Sequence, residues 1–272
     1  MSEILIQPVR GLVPLNLHEL WEYRELIYFL FWRDVKGRYR QMAFGPLWIV
    51  IGPLMNMVIF SVIFGVVAKL PSDGVPYPLF NYSGLLPWGF FSGALFAAAR
   101  SLTSYSHLIS KIYFPRLVVP LVGVLAALFD FAISFVILLG MMFFYGFVPG
   151  PQALAVLAYL ALAGVTGLAV GLWAAAWIVH YRDVSDILSY LARFWMYATP
   201  IVYATSLIPA KWQTLYHLNP MTNVVEGFRW ALLGAGHPSV LMLAVSFLLV
   251  VPVLVGGAYY FRRTERNIVD IA

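Results

Sequence analysis

The chain has 272 residues, of which 62% are hydrophobic and only 11% are charged, and its formal net charge is +5. Soluble domains carry about 25% charged residues, so the composition excludes an ordinary soluble domain and indicates a polytopic membrane protein. The absence of cysteine excludes disulfides, thiol nucleophiles and thiolate metal sites. Acidic residues interrupt the N-terminal region, and no apolar run leads to a small-residue cleavage site, so no cleavable signal peptide is expected there.

Six apolar runs are compared with the roughly 20 residues that a helix needs to cross the hydrocarbon core of a bilayer. In chain order they occupy residues 44–67, 85–99, 117–147, 153–179, 187–203 and 240–261. We therefore predict an all-α integral membrane protein with six transmembrane helices in region 44–261. A cytoplasmic N-terminus (1–43) precedes this region, and a cytoplasmic tail (262–272) follows it.

The distribution of basic residues predicts the orientation, because Lys and Arg are retained on the cytoplasmic side of membranes. With six spans and a cytoplasmic N-terminus, all but three of the 17 basic residues fall on the cytoplasmic side. The exceptions are Lys69, Lys211 and Arg229. A seventh span at 219–234 would move the basic C-terminal tail outside, so we predict that this segment does not cross and that both termini are cytoplasmic.

The segment "NPMTNVVEGFRWALLG", residues 219–234, has the signals of a short helix. Asn219 suits the N-cap, Pro220 the first turn and Gly234 the position after the last turn. A helix of about 13 residues measures roughly 20 Å, which is too short to span. Together with a second short helix before it, the segment predicts an external re-entrant hairpin over 206–234. The hairpin is interpreted either as an outer gate or as a packed cap with no moving role.

Few charges lie within the apolar regions. Glu226 and Arg229 are three residues apart on the predicted gate helix, so they are expected to pair or to line an outer exit. Asp130 lies near the middle of the third predicted span. Because no second acidic residue lies at comparable depth, an interhelical hydrogen bond is favoured over a proton path.

The region 16–35 predicts an amphipathic helix along the cytoplasmic interface, with Asn16 as a possible cap. Its apolar side chains approximate one helical face. They are Leu17, Leu20, Trp21, Ile27, Tyr28, Phe31 and Val35.

Four blocks of the sequence resemble one known family. They are "RDVKGRYRQMAFGPLWIVIGPLMNMVIFSVIFG" (33–65), "GLLPWGFFSGALFAAARSLTSYSHLISKIYFPRLVVPL" (84–121), "NPMTNVVEGFRWALLG" (219–234) and "FRRTERNIVDIA" (261–272). In this order they resemble permease subunits of polysaccharide-exporting ABC transporters of the ABC-2 type. The match extends over nearly the whole chain from about residue 16.

The resemblance implies a homodimer in the bacterial inner membrane, paired with two copies of a separate ATP-binding subunit. It also implies export of a lipid-diphosphate-linked glycan such as O-antigen, capsule or teichoic polymer. ATP and Mg²⁺ are then expected on the partner ATPase, with no cofactor, metal or catalytic residue in this chain. Independently, the sequence contains no G-x-x-x-x-G-K-[ST] loop that would cradle ATP phosphates.

The connector 103–116 is the candidate coupling element, because it is too polar to span and too apolar for an idle loop. A short helix there is expected to contact the ATPase subunit; the alternative is a helix that contacts only lipid headgroups. The candidate contact residues are Ser106, His107, Ile109, Ser110 and Lys111.

A glycan path suits aromatic rings, whose flat faces contact sugars without fixing a register. The candidate channel residues are Tyr39, Trp48, Tyr190, Phe194, Trp195 and Tyr197. Aromatic residues also concentrate at bilayer interfaces, so a lipid belt weighs equally for any single ring.

The diphosphate requires cations at the entrance, where guanidinium groups bind phosphate oxygens in a bidentate way. The candidates are Arg33, Lys36, Arg38 and Arg40. The alternative is that these residues only set the topology.

Three functional classes follow. The first is the glycan-exporting permease, and the second is an ABC-2 exporter of lipids, drugs or other small hydrophobic molecules. The third, a membrane enzyme or a secondary transporter that works alone, is disfavoured by the lack of catalytic clusters and of paired intramembrane carboxylates.

Overall fold

The computed structural model describes residues 17–39, 47–109, 111–236 and 238–264, and within these ranges the regular structure is entirely helical, as predicted. The α-helices are α1 (Leu17–Glu22), α2 (Arg24–Tyr39), α3 (Leu47–Phe60), α4 (Tyr77–Ala99), α5 (Ser101–Ser104), α6 (Ser106–Ile109), α7 (Val118–Phe144), α8 (Val156–His180), α9 (Val184–Tyr197), α10 (Ala210–His217), α11 (Pro220–Leu233) and α12 (Val240–Thr264). A π-helical stretch, Ser61–Val67, continues α3, and a 3₁₀ turn, Pro151–Ala155, leads into α8.

Four helical stretches of the described chain are long and apolar enough to cross a membrane. They are Leu47–Val67, Val118–Phe144, Pro151–His180 and Val240–Thr264. These match the first, third, fourth and sixth predicted spans. The second predicted span lies within α4, which has 23 residues. The fifth lies partly within α9, whose 14 residues measure about 21 Å against a hydrocarbon core of roughly 30 Å. The count of six spans stays a prediction.

Helix α9 ends earlier than the apolar run suggested. The run 187–203 was predicted to be one span, but the helix ends at Tyr197 and Pro200 lies beyond it. The residue before a proline is disfavoured in the helical region, so helices usually end before it. A largely non-helical segment therefore joins α9 to α10.

The centre of the molecule is α4, which packs along α7 and α8 and contributes many of the fully buried side chains. Small residues bring α8 close to α4. A Cβ atom added at Gly171 would lie 2.5 Å from Cβ of Ala98, and one added at Gly167 would lie 2.7 Å from the carbonyl oxygen of Phe91. The absence of a side chain at these two glycines therefore allows α8 to pack closely against α4.

The N-terminal helix is divided into α1 and α2, and α2 packs against α7. The ring of Phe31 lies 6.1 Å from that of Phe129 between centroids, and Val35 is buried. Trp21 and Tyr28, which the sequence placed on the same face, are exposed instead. The side of α2 that faces the bundle is narrower than the apolar stripe, so part of the stripe stays outside. The predicted cap Asn16 lies outside the described residues.

Candidate functional site

The connector is fixed to α2 by a small polar cluster. The hydroxyl of Tyr105, between α5 and α6, donates a hydrogen bond to the carboxylate of Asp34. Arg33 contacts the same carboxylate at 3.1 Å and lies over the Tyr105 ring, 4.8 Å from its centroid. Burial, and then the hydrogen bond to Asp34, raises the pKa of Tyr105 above its ordinary value, so the phenol stays protonated and donates. The connector and α2 therefore form one unit.

Sequence reasoning missed this cluster, although one signal was present. Asp34 is the single acidic residue among the cations of residues 33–40. Exposed ion pairs with neighbouring cations contribute little to stability. An acid within a basic cluster at a helix end is therefore a candidate for a tertiary contact.

The predicted entrance cations are engaged with other groups. Arg33 pairs with Asp34, and the guanidinium of Arg38 donates to Asp130 Oδ2 at 2.7 Å. The ammonium of Lys36 lies 5.8 Å from the centroid of the Trp32 ring. Arg40 lies outside the described residues.

The contact between Arg38 and Asp130 joins α2 to the middle of α7. It confirms the prediction that the Asp130 carboxylate makes an interhelical hydrogen bond. A carboxylate within an apolar span is costly unless it is paired, and Arg38 supplies the opposite charge.

The aromatic candidates divide between exposed and inward positions. Tyr190, Phe194 and Tyr197 are 63%, 72% and 56% exposed, and their spacing places them along one side of α9. Trp48 on α3 is half exposed. Tyr39 ends α2, and its side chain lies outside the described part of the structure.

Trp195 turns into the molecule instead. Its ring packs edge-on against Phe91 of α4, with 4.8 Å between centroids. Its Nε1 donates to the side-chain oxygen of Asn219 at 2.8 Å, and the amide of Asn219 donates to the Thr199 hydroxyl at 3.0 Å. Trp195 therefore holds the start of α11 against the end of α9.

The helix predicted at 219–234 is present as α11. The side chain of Asn219 accepts from the backbone N–H of Met221 at 3.0 Å, Pro220 occupies the first turn, and Gly234 ends the helix with a φ of 69°. These three residues stand at the predicted cap positions. The helix is buried against α4, α8 and α12 along most of its length. Gly227 allows its close approach to α8, because a Cβ atom there would lie 2.0 Å from the ring of Tyr159.

Arg229 is the most enclosed cation of the described chain, at 3% exposed. Its guanidinium donates to the carbonyl oxygens of Pro200 at 2.7 Å, of Ile201, and of Phe80 through two nitrogens at 3.2 and 3.3 Å. It lies 3.6 Å from the centroid of the Phe80 ring. The non-helical segment after α9 leaves the carbonyls of Pro200 and Ile201 without helical partners, and Arg229 satisfies them.

The expected pair between Glu226 and Arg229 is replaced by other contacts. Glu226 Oε2 lies 3.5 Å from Nδ1 of His217, while Arg229 bonds to backbone carbonyls. Both side chains are buried, so they do not line an open exit. The physical reason is that three carbonyl acceptors match the donor fork of a guanidinium better than one carboxylate at i−3 does.

The connector candidates differ in accessibility. His107 and Lys111 are exposed and Ser106 is partly exposed, whereas Ile109 is buried against the chain's own core and Ser110 lies outside the described residues. Sequence reasoning missed Tyr113, which is 86% exposed next to the buried Phe114. Across the described ranges, no group of three or more His, Asp or Glu side chains is arranged to hold a metal ion.

Comparison with known proteins identifies the family of the chain. The family model described as "ABC-2 type transporter" matches residues 25–233. The O-antigen export system permease protein RfbA of Myxococcus xanthus is 30% identical over 216 residues, covering 78% of this chain and 82% of that protein. An O-antigen export system permease protein RfbA of Klebsiella pneumoniae is 28% identical, covering 72% and 76%. The polysialic acid transport protein KpsM of Escherichia coli is 22% identical, covering 87% and 92%. The chain belongs to the ABC-2 type transporter family.

Proposed function

We propose that this chain is the transmembrane subunit of an ATP-driven exporter that moves a lipid-diphosphate-linked polysaccharide out of the cytoplasm. Two copies form the channel in the bacterial inner membrane, with both termini cytoplasmic, and two copies of a separate ATP-binding subunit hydrolyse ATP with Mg²⁺. The relatives named for O-antigen export and polysialic acid transport support the polysaccharide as cargo.

The exposed aromatic side of α9 is the observation that carries this proposal. A channel for a sliding polymer needs flat apolar faces that repeat along its axis. Tyr190, Phe194 and Tyr197 provide such a series, since they recur every three or four residues on one helix. An exporter of small hydrophobic molecules does not need a repeated series of this kind.

The test compares two triple alanine variants of the chain, each co-expressed with its ATPase subunit. One removes the rings of Tyr190, Phe194 and Tyr197. The matched control removes exposed apolar side chains of α12, namely Leu248, Leu249 and Val251. The length distribution of the surface glycan is read on a gel.

We expect the aromatic variant to lose long chains and the α12 variant to keep them. Equal distributions in the two variants would contradict the aromatic path. A wild-type complex that exports no glycan would contradict the function itself.

The exposed side of the connector is the proposed contact with the ATPase subunit. Because the chain has no cysteine, single cysteines at His107 and Tyr113 give unambiguous crosslinks to that subunit. A cysteine at the buried Ile109 is the control. Crosslinks at 107 and 113 but not at 109 are expected, and failure at both exposed positions would contradict this placement.

A further inference from the structure

A basic cleft lies beside the connector; Arg100 borders both this cleft and the neighbouring cavity that Asp34, Arg38 and Asp130 line. The cleft has a volume of about 590 Å³, within the range of about 300–1,000 Å³ that small-molecule sites occupy. It opens where the C-terminal ends of α4 and α8 meet the start of α9. Arg100, at the end of α4, and Arg182, between α8 and α9, both line it.

These two arginines differ from the predicted entrance cations in their contacts. In the described residues, Arg33 and Arg38 each hold a carboxylate at 3.1 and 2.7 Å. Neither Arg100 nor Arg182 has a carboxylate within ion-pair distance there, and the guanidinium of Arg100 lies 5.7 Å from the centroid of the Phe96 ring. Asp186 also lines the cleft, so two cations face one anion and the cleft keeps a positive charge.

Three hydroxyl groups of the cleft donate to backbone carbonyls. Thr103 donates its proton to the carbonyl of Arg100 and Ser185 to that of Arg182, both at 3.0 Å. Ser189 donates to the carbonyl of Ser185 at 2.9 Å. Two guanidinium groups present planar forks of N–H donors, and these match the oxygens of a phosphate group.

The apolar part of the lining indicates that the ligand is a lipid. It includes the buried side chains of Leu102 and Ile178, and Ile178 lies near the end of the candidate span Pro151–His180. Basic pockets between membrane helices bind lipid headgroups.

We infer that the cleft between Arg100 and Arg182 is a binding site for a phosphate group carried by a membrane lipid. The phosphate belongs either to the diphosphate of the lipid-linked substrate or to a phospholipid headgroup. The substrate diphosphate as ligand rests on the proposed function, whereas the binding of a phosphate group at this site does not.

The test uses the complex with its ATPase subunit in phosphatidylcholine nanodiscs, with farnesyl diphosphate as the probe. The variant is Arg100→Gln with Arg182→Gln. The matched control, Arg263→Gln, removes an exposed charge from the end of α12, outside the cleft. The pair Arg100→Lys with Arg182→Lys keeps the charge but removes the forks.

Binding to the double Gln variant is expected to weaken at least about tenfold, because hydrogen bonds from a charged donor to phosphate are roughly twice as strong as neutral ones. The Lys pair is expected to give an intermediate affinity, and the control the wild-type value. Unchanged binding in the double Gln variant, or equal weakening in the control, would overturn the inference. A double Gln variant that no longer co-purifies with the ATPase, while the Lys pair does, would also overturn it and assign the cleft to subunit docking.

A second arm distinguishes the two sources of phosphate. Phosphatidylglycerol is added to the nanodiscs, and the affinity for farnesyl diphosphate is measured again. A tenfold loss in the wild type but not in the double Gln variant identifies the headgroup as the ligand, and an unchanged wild-type affinity identifies the substrate diphosphate. If the double Gln variant binds farnesyl diphosphate with the wild-type affinity while the wild-type complex exports glycan, the proposed phosphate site is refuted and the proposed function stands.

Discussion

Replacing Arg229 with Met tests whether the guanidinium holds α11 in the molecule. Met fills a similar volume but donates no hydrogen bond, so the carbonyl oxygens of Pro200 and Ile201 lose their partner, whereas that of Phe80 keeps the Ser83 hydroxyl. Each buried acceptor left unsatisfied costs about 1–3 kcal/mol. Removing the guanidinium also removes its own burial cost, so the lower limit applies to the two acceptors, and the free energy of unfolding should fall by about 2 kcal/mol.

The assay is the thermal unfolding midpoint of the complex purified in detergent. A loss of about 2 kcal/mol corresponds to a midpoint lower by roughly 4–8 °C, at about 2–4 °C per kcal/mol for a chain of this size. The control Arg263→Met removes an exposed arginine and should leave the midpoint in place. Gly84→Ala should act in the same direction as Arg229→Met, because its Cβ would lie 2.7 Å from the Arg229 Nη2.

A midpoint for Arg229→Met within about 2 °C of the wild type would refute the reasoning. It would mean that water or backbone movement satisfies the carbonyls of Pro200 and Ile201 as well as the guanidinium does. Arg229→Lys separates charge from geometry, since one ammonium group lacks the planar fork, and it should give an intermediate midpoint.

Three further changes follow from the contacts. Gly227→Leu should prevent assembly of the complex in size-exclusion chromatography, because even the Cβ would lie 2.0 Å from the Tyr159 ring; a normal elution profile would contradict the packing. Trp195→Phe loses the hydrogen bond to Asn219 and leaves a smaller ring against Phe91, so stability should fall by at least about 1 kcal/mol; the loss should be smaller when Asn219→Ala is already present, and an equal loss would contradict a role for this bond. Tyr105→Phe removes the hydrogen bond to the Asp34 carboxylate, and the stimulation of ATP hydrolysis by lipid-linked glycan should drop several-fold, given about 1.5–3 kcal/mol for such a bond; unchanged stimulation would contradict a role for this contact in coupling.

Local signals in the sequence were sufficient to place α11. Its bounds depend on Asn219, Pro220 and Gly234, whose effects act within one helical turn. The observed helix, Pro220–Leu233, begins and ends where these residues indicate. The end of α9 was not predicted, since an apolar run alone does not show where a helix stops.

Contacts between distant residues were beyond the sequence. Arg38 and Asp130 are 92 residues apart, and only the packing of α2 on α7 brings them together. The pairing proposed for Glu226 and Arg229 used the one neighbour that helical spacing supplies, while the true acceptors belong to a non-helical segment and to α4. In the same way, spacing groups the rings of α9, but only tertiary packing decides that Trp195 faces inward and Phe194 outward.

The attachment of the connector to α2 through Asp34 has a thermodynamic consequence. A ligand that binds at one of two mechanically joined elements and shifts its position must change the affinity at the other by the same factor in both directions. If a protein binds to the exposed face of the connector and an anion binds near α2, each therefore changes the affinity for the other by the same factor. Breaking the bond between Tyr105 and Asp34 should reduce both effects equally.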